Sequence, residues 1–433
     1  MNYHEAGDML PSNHHGYKLS EIMKPQTIAI IGAGVAGLTA ASLLKQSGHE
    51  VVIFDKFDAP KPLGAGLLLQ PTGLSVLALL GLDEATIARG SPIHQLYGKV
   101  SGSRFTTLDV KYKDCSTHLF GVGTHRGALF ASLHQKAIET GVKIISSSEI
   151  TAIKQVSGKA TLIDKAEQAL GDYDLVIDAS GQGSQLREKY ASIRLNKPYP
   201  FGALWSLVTL EHNTFREDTL DQRYRRANNM IGVLPVGKEQ GETKTSAAYF
   251  YSMPVADYTA FRSRPFNDWQ QHAMSLWPET ESLIKQFKSH DDLILATYRD
   301  VILNKCYQDN LVFIGDAAHC TSPQLGQGAN LALLDAYILA ETINRHRSIS
   351  DALADYAKQR QAQTSFYQMA SRALTPFFQS NSLFFAYSRF LMLLVSRKIP
   401  LTRRFTAEVL TGVKTGIFSK MNPGEWADKY KLL

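Results

Sequence analysis

Short runs of consecutive apolar residues alternate with stretches of helical period along the first third of the chain. Thr27–Ile31 is a β-branched apolar run, residues 38–47 repeat apolar positions at helical spacing up to Gly48, and 51–54 are apolar again. Continuous apolar runs read as buried strands, and a helix between two of them predicts a β-α-β unit with a parallel sheet. A further helix is predicted over 126–140, with Leu129, Phe130, Leu133 and Ala137 on one face and Gly141 as its stop. Residues 62–73 read as a loop rich in glycine and proline, 74–80 as a helix, and 105–110, 142–145, 160–163 and 175–179 as strands. From about residue 200 aromatics, prolines and alternating strands take over, predicting sheet at 203–210 and 246–252 and a helix over 266–287. A buried strand at 311–314, a long helix at 330–345 and a mostly helical remainder after Asp351 complete the pattern, with no internal repeat.

The 433 residues suit two or three domains. A hydrophobic share of 44% and a charged share of 20% exclude a disordered or fibrous chain. The net charge of +6 is scattered except near residues 397–404, so nucleic acid is not an expected partner. The three cysteines, Cys115, Cys306 and Cys320, are far apart and form no metal spacing. That pattern predicts a reducing, cytoplasmic setting, no metal, and no disulfide framework. Residues 1–25 are polar and mixed in charge, and are expected to be a flexible tail rather than a secretory signal.

The first candidate chemistry is Gly32-Ala33-Gly34-Val35-Ala36-Gly37, a GxGxxG between a strand and a helix. Gly32 permits the tight turn, Gly34 lets backbone approach a pyrophosphate, and Gly37 lets the helix pack on the sheet. Exposed amides at the helix N-terminus then favour the phosphate charge. Asp55 ends the second strand where a carboxylate meets an adenosine ribose, about 20 residues further on. The second candidate is the distant segment 310–335, NLVFIGDAAHCTSPQLGQGANLALLD. There a buried strand ends at Gly315-Asp316, and a loop with Pro323, Gly326 and Gly328 opens a helix, offering a second dipole and carboxylate site.

Segment 310–335 resembles the GD-motif segment of the FAD-dependent aromatic hydroxylases, the para-hydroxybenzoate hydroxylase-like flavoprotein monooxygenases. The resemblance runs from about Thr27 to Gln363. It implies that Asp316 binds the ribityl chain, that the amides of Gly328, Ala329 and Asn330 face the pyrimidine end of the flavin, and that Pro323 borders the oxygen site. Gly64-Ala65-Gly66 resembles the family's glycine loop beside the isoalloxazine ring, and Arg126 its cofactor-contacting arginine. His319 beside Asp316 looks like a base, but the resemblance makes it a structural neighbour of the flavin loop, and no catalytic residue is assigned. Segment 174–187, DLVIDASGQGSQLR, resembles the family's DG segment, with Ser180 where the family has Asp, which puts the electron donor's contact in question.

The implied fold is α/β: a Rossmann-like FAD-binding domain in two pieces, 26–199 and 291–365, a mixed-sheet substrate domain at 200–290, and C-terminal helices at 366–433. The implied function is a monooxygenase that holds FAD non-covalently and uses NADH or NADPH and O2. It would hydroxylate or epoxidise a small apolar or aromatic substrate through a flavin hydroperoxide. The alternative is an FAD-dependent halogenase or a geranylgeranyl reductase-like oxidoreductase. Trp205, Tyr249, Phe250 and Tyr251 are candidate pocket walls, with core packing as the competing reading. Residues 383–395 are very apolar and are followed by Arg397, Lys398, Arg403 and Arg404. Two readings stay open there: weak association with a membrane surface, or a helix packed on the two domains or on a partner subunit. The expected assembly is a monomer or homodimer.

Overall fold

A computed structural model describes residues 23–58, 66–156, 158–211, 214–238, 244–385, 387–389 and 399–421. Residues 1–22 of the tail expected at 1–25, Gly64 and Ala65, and the whole apolar stretch after residue 389 lie outside the described residues.

The first β-α-β unit forms as its pattern demands. Strand Thr27–Ile31 pairs in parallel with Glu50–Phe54 on one side and with Leu175–Asp178 on the other. The sheet extends outward to Lys143–Ile145 and, past Leu175–Asp178, to Leu311–Phe313, all parallel, and an antiparallel edge strand Tyr307–Gln308 closes it. Its strands are almost wholly apolar because both faces are covered. Helices Val35–Gln46 and Gly328–Arg345 share one buried core, with Leu38, Leu44, Leu333 and Leu339 fully buried. The ends of strands Thr27–Ile31 and Leu175–Asp178 thus open at one crevice, the usual ligand position of an open parallel sheet.

A second sheet of seven strands carries the order Ile294–Ala296, Phe201–Thr209, Ser246–Pro254, Asn229–Gly237, Thr219–Arg225, Gln95–Val100, Thr106–Lys111. It is antiparallel except where Thr219–Arg225 meets Gln95–Val100. Two of its strands come from residues 95–111, well before residue 200, so the sheet is not confined to the expected 200–290 piece. The helix predicted over 266–287 is broken into Phe266–Leu276 and Glu281–Ile284. Pro278 disfavours helical backbone at the residue before it, and Trp277 is accordingly extended, with φ −149° and ψ 84°. The C-terminal part includes the long helix Ile349–Phe378, helical residues at 383–385 and 387–389, and the helix Pro400–Thr411. Among the described residues no helix is long and apolar enough to cross a membrane.

Candidate active site

The three glycines of the first loop divide their work. Gly32 has φ +101°, and a side chain there would lie 2.7 Å from the Ala179 carbonyl oxygen. A side chain at Gly37 would lie 2.0 Å from the Gly32 carbonyl oxygen, so helix and turn touch only because Gly37 has none. At Gly34, by contrast, nothing lies within 4 Å of the added carbon. Gly34 caps helix Val35–Gln46 without a side-chain bond, and the first intrahelical bond runs from the Leu38 amide to the Gly34 carbonyl at 2.9 Å. The amides of Val35, Ala36 and Gly37 are therefore left without helical acceptors beside open space. Asp55 closes the mouth: one carboxylate oxygen accepts the Ala33 amide at 2.6 Å and the other the Phe57 amide at 2.9 Å. The cleft is lined by Gly32, Ala33, Gly34, Val35, Asp55, Arg126 and Ser180 among others, which brings six of the expected contacts and the variant Ser180 to one place.

The second loop packs against the helix that follows the first. Gly315 turns with φ +58° and packs between helices Val35–Gln46 and Gly328–Arg345, where a side chain would meet the Ala36 and Ala332 methyl groups at 3.2 and 3.3 Å. Asp316 opens the short helix Asp316–His319 with its side chain exposed, 3.9 Å from the position of a Gly328 side chain. Helix Gly328–Arg345 begins with no side-chain cap, and its first bond runs from Leu331 to Gln327, leaving the amides of Gly328, Ala329 and Asn330 free of helical acceptors. The Asn330 side chain is fully buried and differently engaged. It accepts the Gln70 amide at 2.8 Å and donates to the Leu68 and Gly326 carbonyls, tying the glycine-loop strand to this helix. Pro323 heads a single 3-10 turn that ends at Gly326, φ +61°. Gly66 is a packing glycine: a side chain there would lie 2.7 Å from Ala248 of the seven-stranded sheet.

Buried charges hold these loops from behind, and the sequence reading missed all four of them. Asp335 is fully buried. One of its oxygens accepts the Gly315 amide at 2.7 Å and meets His319 Nε2 at 2.5 Å, and the other accepts Arg360 Nε at 2.6 Å. Burial alone would raise its pKa, but His319, Arg360 and the Gly315 amide hold it down at about 2. His319 is thus committed to Asp335 and orients the turn. Asp178, also fully buried, accepts the Ser180 amide at 2.9 Å, the Ser180 hydroxyl at 2.6 Å and the Ser184 hydroxyl at 2.5 Å. Burial keeps its pKa raised despite these donors. Ser184 caps the helix that carries Arg187, and the buried Arg187 guanidinium donates to the carbonyls of Ala317 at 3.1 Å and Gln182 at 2.7 Å. A signal existed for Asp335, an acid within the apolar run Leu333-Leu334-Asp335-Ala336. For Asp178 the signal was its place at the end of the apolar run Leu175-Val176-Ile177.

The pocket-wall expectation divides by strand parity. Trp205 and Phe250 share the inner face of the seven-stranded sheet, their ring centroids 4.8 Å apart. Tyr249 and Tyr251 point to the other face, into a core with Trp269 and Phe287, so for these two core packing replaces the pocket-wall reading. Trp205 Nε1 donates to the Tyr298 hydroxyl at 3.1 Å. Burial pushes the Tyr298 pKa up to about 12, against the opposing charge of nearby Arg126. Tyr298 thus sits between Trp205, which it bonds, and the charge of Arg126, which lines the cleft. Cys320 is buried, and burial pushes its thiol up as well, which agrees with a packing role. Among the described residues no cluster of His, Cys, Asp or Glu suits a metal.

The family described as "FAD binding domain" matches residues 25–366. The chain belongs to this family. Kynurenine 3-monooxygenase of Xanthomonas campestris pv. campestris (strain 8004) is 24% identical over 383 residues, covering 81% of this chain and 79% of that protein. FAD-dependent urate hydroxylase of Klebsiella pneumoniae is 23% identical over 341 residues, covering 76% and 85%. Among solved structures, Klebsiella pneumoniae HpxO complexed with FAD and uric acid superposes with a TM-score of 0.75 at 18% identity, covering 88% of this chain and 97% of that one. A tetrameric form of 2-methyl-3-hydroxypyridine-5-carboxylic acid oxygenase gives 0.70 at 22%, covering 85% and 96%. The expected fold and family stand: the protein is a flavoprotein oxidoreductase of the FAD-dependent monooxygenase group. Its own residues fit that cofactor, with two uncapped helix N-termini, open space at Gly34, and the carboxylates of Asp55 and Asp316 at the loops.

Proposed function

We propose that the protein takes electrons from NADH or NADPH and places one oxygen atom of O2 on a small apolar or aromatic molecule, by hydroxylation or epoxidation. The observation that supports this most is the aromatic pair Trp205–Phe250 on the inner sheet face, hydrogen-bonded to Tyr298, which feels the charge of the cleft residue Arg126. The amides of Val35, Ala36 and Gly37 would hold the pyrophosphate where Gly34 leaves room, and Asp55 would accept from the ribose. Asp316 would bind the ribityl chain, the amides of Gly328, Ala329 and Asn330 the pyrimidine end, and Arg126 and Pro323 would border the ring. When bound, non-covalently, the flavin supplies the electron and oxygen chemistry. The chain's own part is to bind, orient and exclude water. Tyr298 stays protonated at working pH, and its hydroxyl already receives the Trp205 proton, so its own proton would be available to a polar group of the ligand. The setting is cytoplasmic and the assembly a monomer or homodimer.

The test is NAD(P)H oxidation by the purified yellow protein across a panel of aromatic and polycyclic ligands. Slow oxidation alone and acceleration by a ligand support the reading. One observation favours the halogenase or geranylgeranyl-reductase alternative: Ser180 turns its hydroxyl onto Asp178, so no carboxylate occupies the position of the family's DG acid. Halogenation or double-bond reduction with externally reduced FAD, with no direct NAD(P)H oxidation, would establish that alternative.

A further inference from the structure

Helix Pro400–Thr411 ends against the cofactor loops, and its last carbonyls are taken up by side chains from three other elements. Val409 O accepts the Tyr367 hydroxyl at 2.9 Å, Leu410 O accepts Gln327 Nε2 at 2.7 Å, Thr411 O accepts the Thr72 hydroxyl at 3.1 Å, and Gly412 O accepts Gln363 Nε2 at 2.5 Å. All four donors are almost fully buried. Orphan carbonyls at a helix C-terminus are ordinarily left to water or to a local cap, so four buried side chains make this end a built joint. Gly412 adopts φ +92°, and a side chain there would lie 2.3 Å from the Thr72 hydroxyl, so the contact is close as well as polar.

The donors are not scattered. Thr72 lies in helix Pro71–Leu79, directly after the glycine-loop strand Gly66–Leu69. Gln327 is the N-cap residue in front of the free amides of Gly328, Ala329 and Asn330. Gln363 accepts from Arg360, which donates to Asp335, which in turn receives the Gly315 amide. One hydrogen-bonded chain thus runs from the end of the C-terminal helix to the GD turn. The negative end of helix Pro400–Thr411 also meets the positive end of helix Gly328–Arg345 at Gln327, a favourable head-to-tail contact.

We infer that the C-terminal helix is a working part of the cofactor site: docking of residues 400–421 and binding of FAD strengthen each other, with Thr72, Gln327 and Gln363 as positioning residues. Flavin on one side and the helix on the other would order the same three segments. Whichever arrives first bears the ordering entropy, and the second binds more tightly for it. Such coupling is reciprocal: if the docked helix tightens FAD, FAD must tighten the helix by the same factor. The inference rests on the assignment of Asp316 and residues 328–330 as FAD contacts.

The experiment is hydrogen exchange on the full chain, stripped of flavin and then reloaded with FAD. The expected result is exchange slowed about tenfold across 400–421, with helix Phe266–Leu276 in the outer layer unchanged. Thr72→Val removes the donor at nearly constant shape, whereas Thr72→Ser keeps it. FAD should bind about tenfold more weakly to the first and as in wild type to the second, with both stripped variants showing the wild-type circular dichroism. Unchanged exchange across 400–421 on loading FAD overturns the coupling, whatever the variants do. Wild-type affinity in Thr72→Val overturns the role of this joint. Failure of the wild-type chain to take up FAD at all overturns the cofactor assignment and the inference with it.

Discussion

The buried pair Asp335–Arg360 allows a prediction with a worked magnitude. Asp335 has no exposed surface and Arg360 is 4% exposed, and their contact is 2.6 Å. Replacing Asp335 with Leu leaves the guanidinium buried without its charge partner and also frees the Gly315 amide, so destabilisation of about 3–5 kcal/mol is expected. Arg360→Met strands the carboxylate and should cost about the same. The double variant removes both charges, so its loss should fall short of the sum by at least about 2 kcal/mol. Against a total stability of about 5–15 kcal/mol, each single variant is measurable by urea unfolding of the flavin-free protein. The same carboxylate predicts an acid dependence. Its folded pKa of about 2 lies below the ordinary 3.8, so its contribution is complete above the ordinary value and is lost as pH falls from about 5 through 2. Asp335→Leu should lack that portion of the acid transition. Additive losses in the cycle, or single losses below about 1 kcal/mol, would refute the reasoning.

The other predictions follow from the same geometry. Gly34→Val should leave the stability of the flavin-free protein near wild type, because its side chain enters open space, yet abolish FAD uptake; Gly37→Ala, 2.0 Å from the Gly32 carbonyl, should lower the urea midpoint. Ser180→Asp should destabilise the protein by about 1–3 kcal/mol, by removing a donor to Asp178 and setting a second carboxylate against it; an unchanged midpoint would show that the Ser180–Asp178 contact is idle. Tyr298→Phe should retain full FAD content but weaken an oxygen-bearing aromatic ligand about tenfold, while Tyr249→Phe, on the outer sheet face, should leave ligand affinity unchanged.

Legibility along the chain followed the range of the interactions. The turn at Gly32–Gly37 and the segment 310–335 could be read because glycines, apolar strands and acids lie next to each other in sequence. The seven-stranded sheet was only partly legible. Thr219–Arg225, with sequence TLDQRYR, looks like a solvent loop, because its polar residues bond within the sheet, as Tyr224 does to Gln222. Strand parity separates Trp205 and Phe250 from Tyr249 and Tyr251, but nothing local says which face meets the cleft; the contact of Gly66 with Ala248 decides it. Asp178 and Asp335 stand in apolar runs, which hints at burial but names none of their partners. Their burial depends on a covering layer assembled from distant segments, with Arg360 in the next helix, 25 residues from Asp335.

The central claim, a flavin-dependent oxygenation at this cleft, is tested most directly by turnover under heavy-isotope O2 with NADH or NADPH and the ligand that best stimulates oxidation. The account predicts a product heavier by one labelled oxygen atom, one O2 consumed per NAD(P)H, and loss of both in Asp316→Ala together with its FAD. Unlabelled product, or labelled product formed equally well by flavin-free Asp316→Ala, would contradict it.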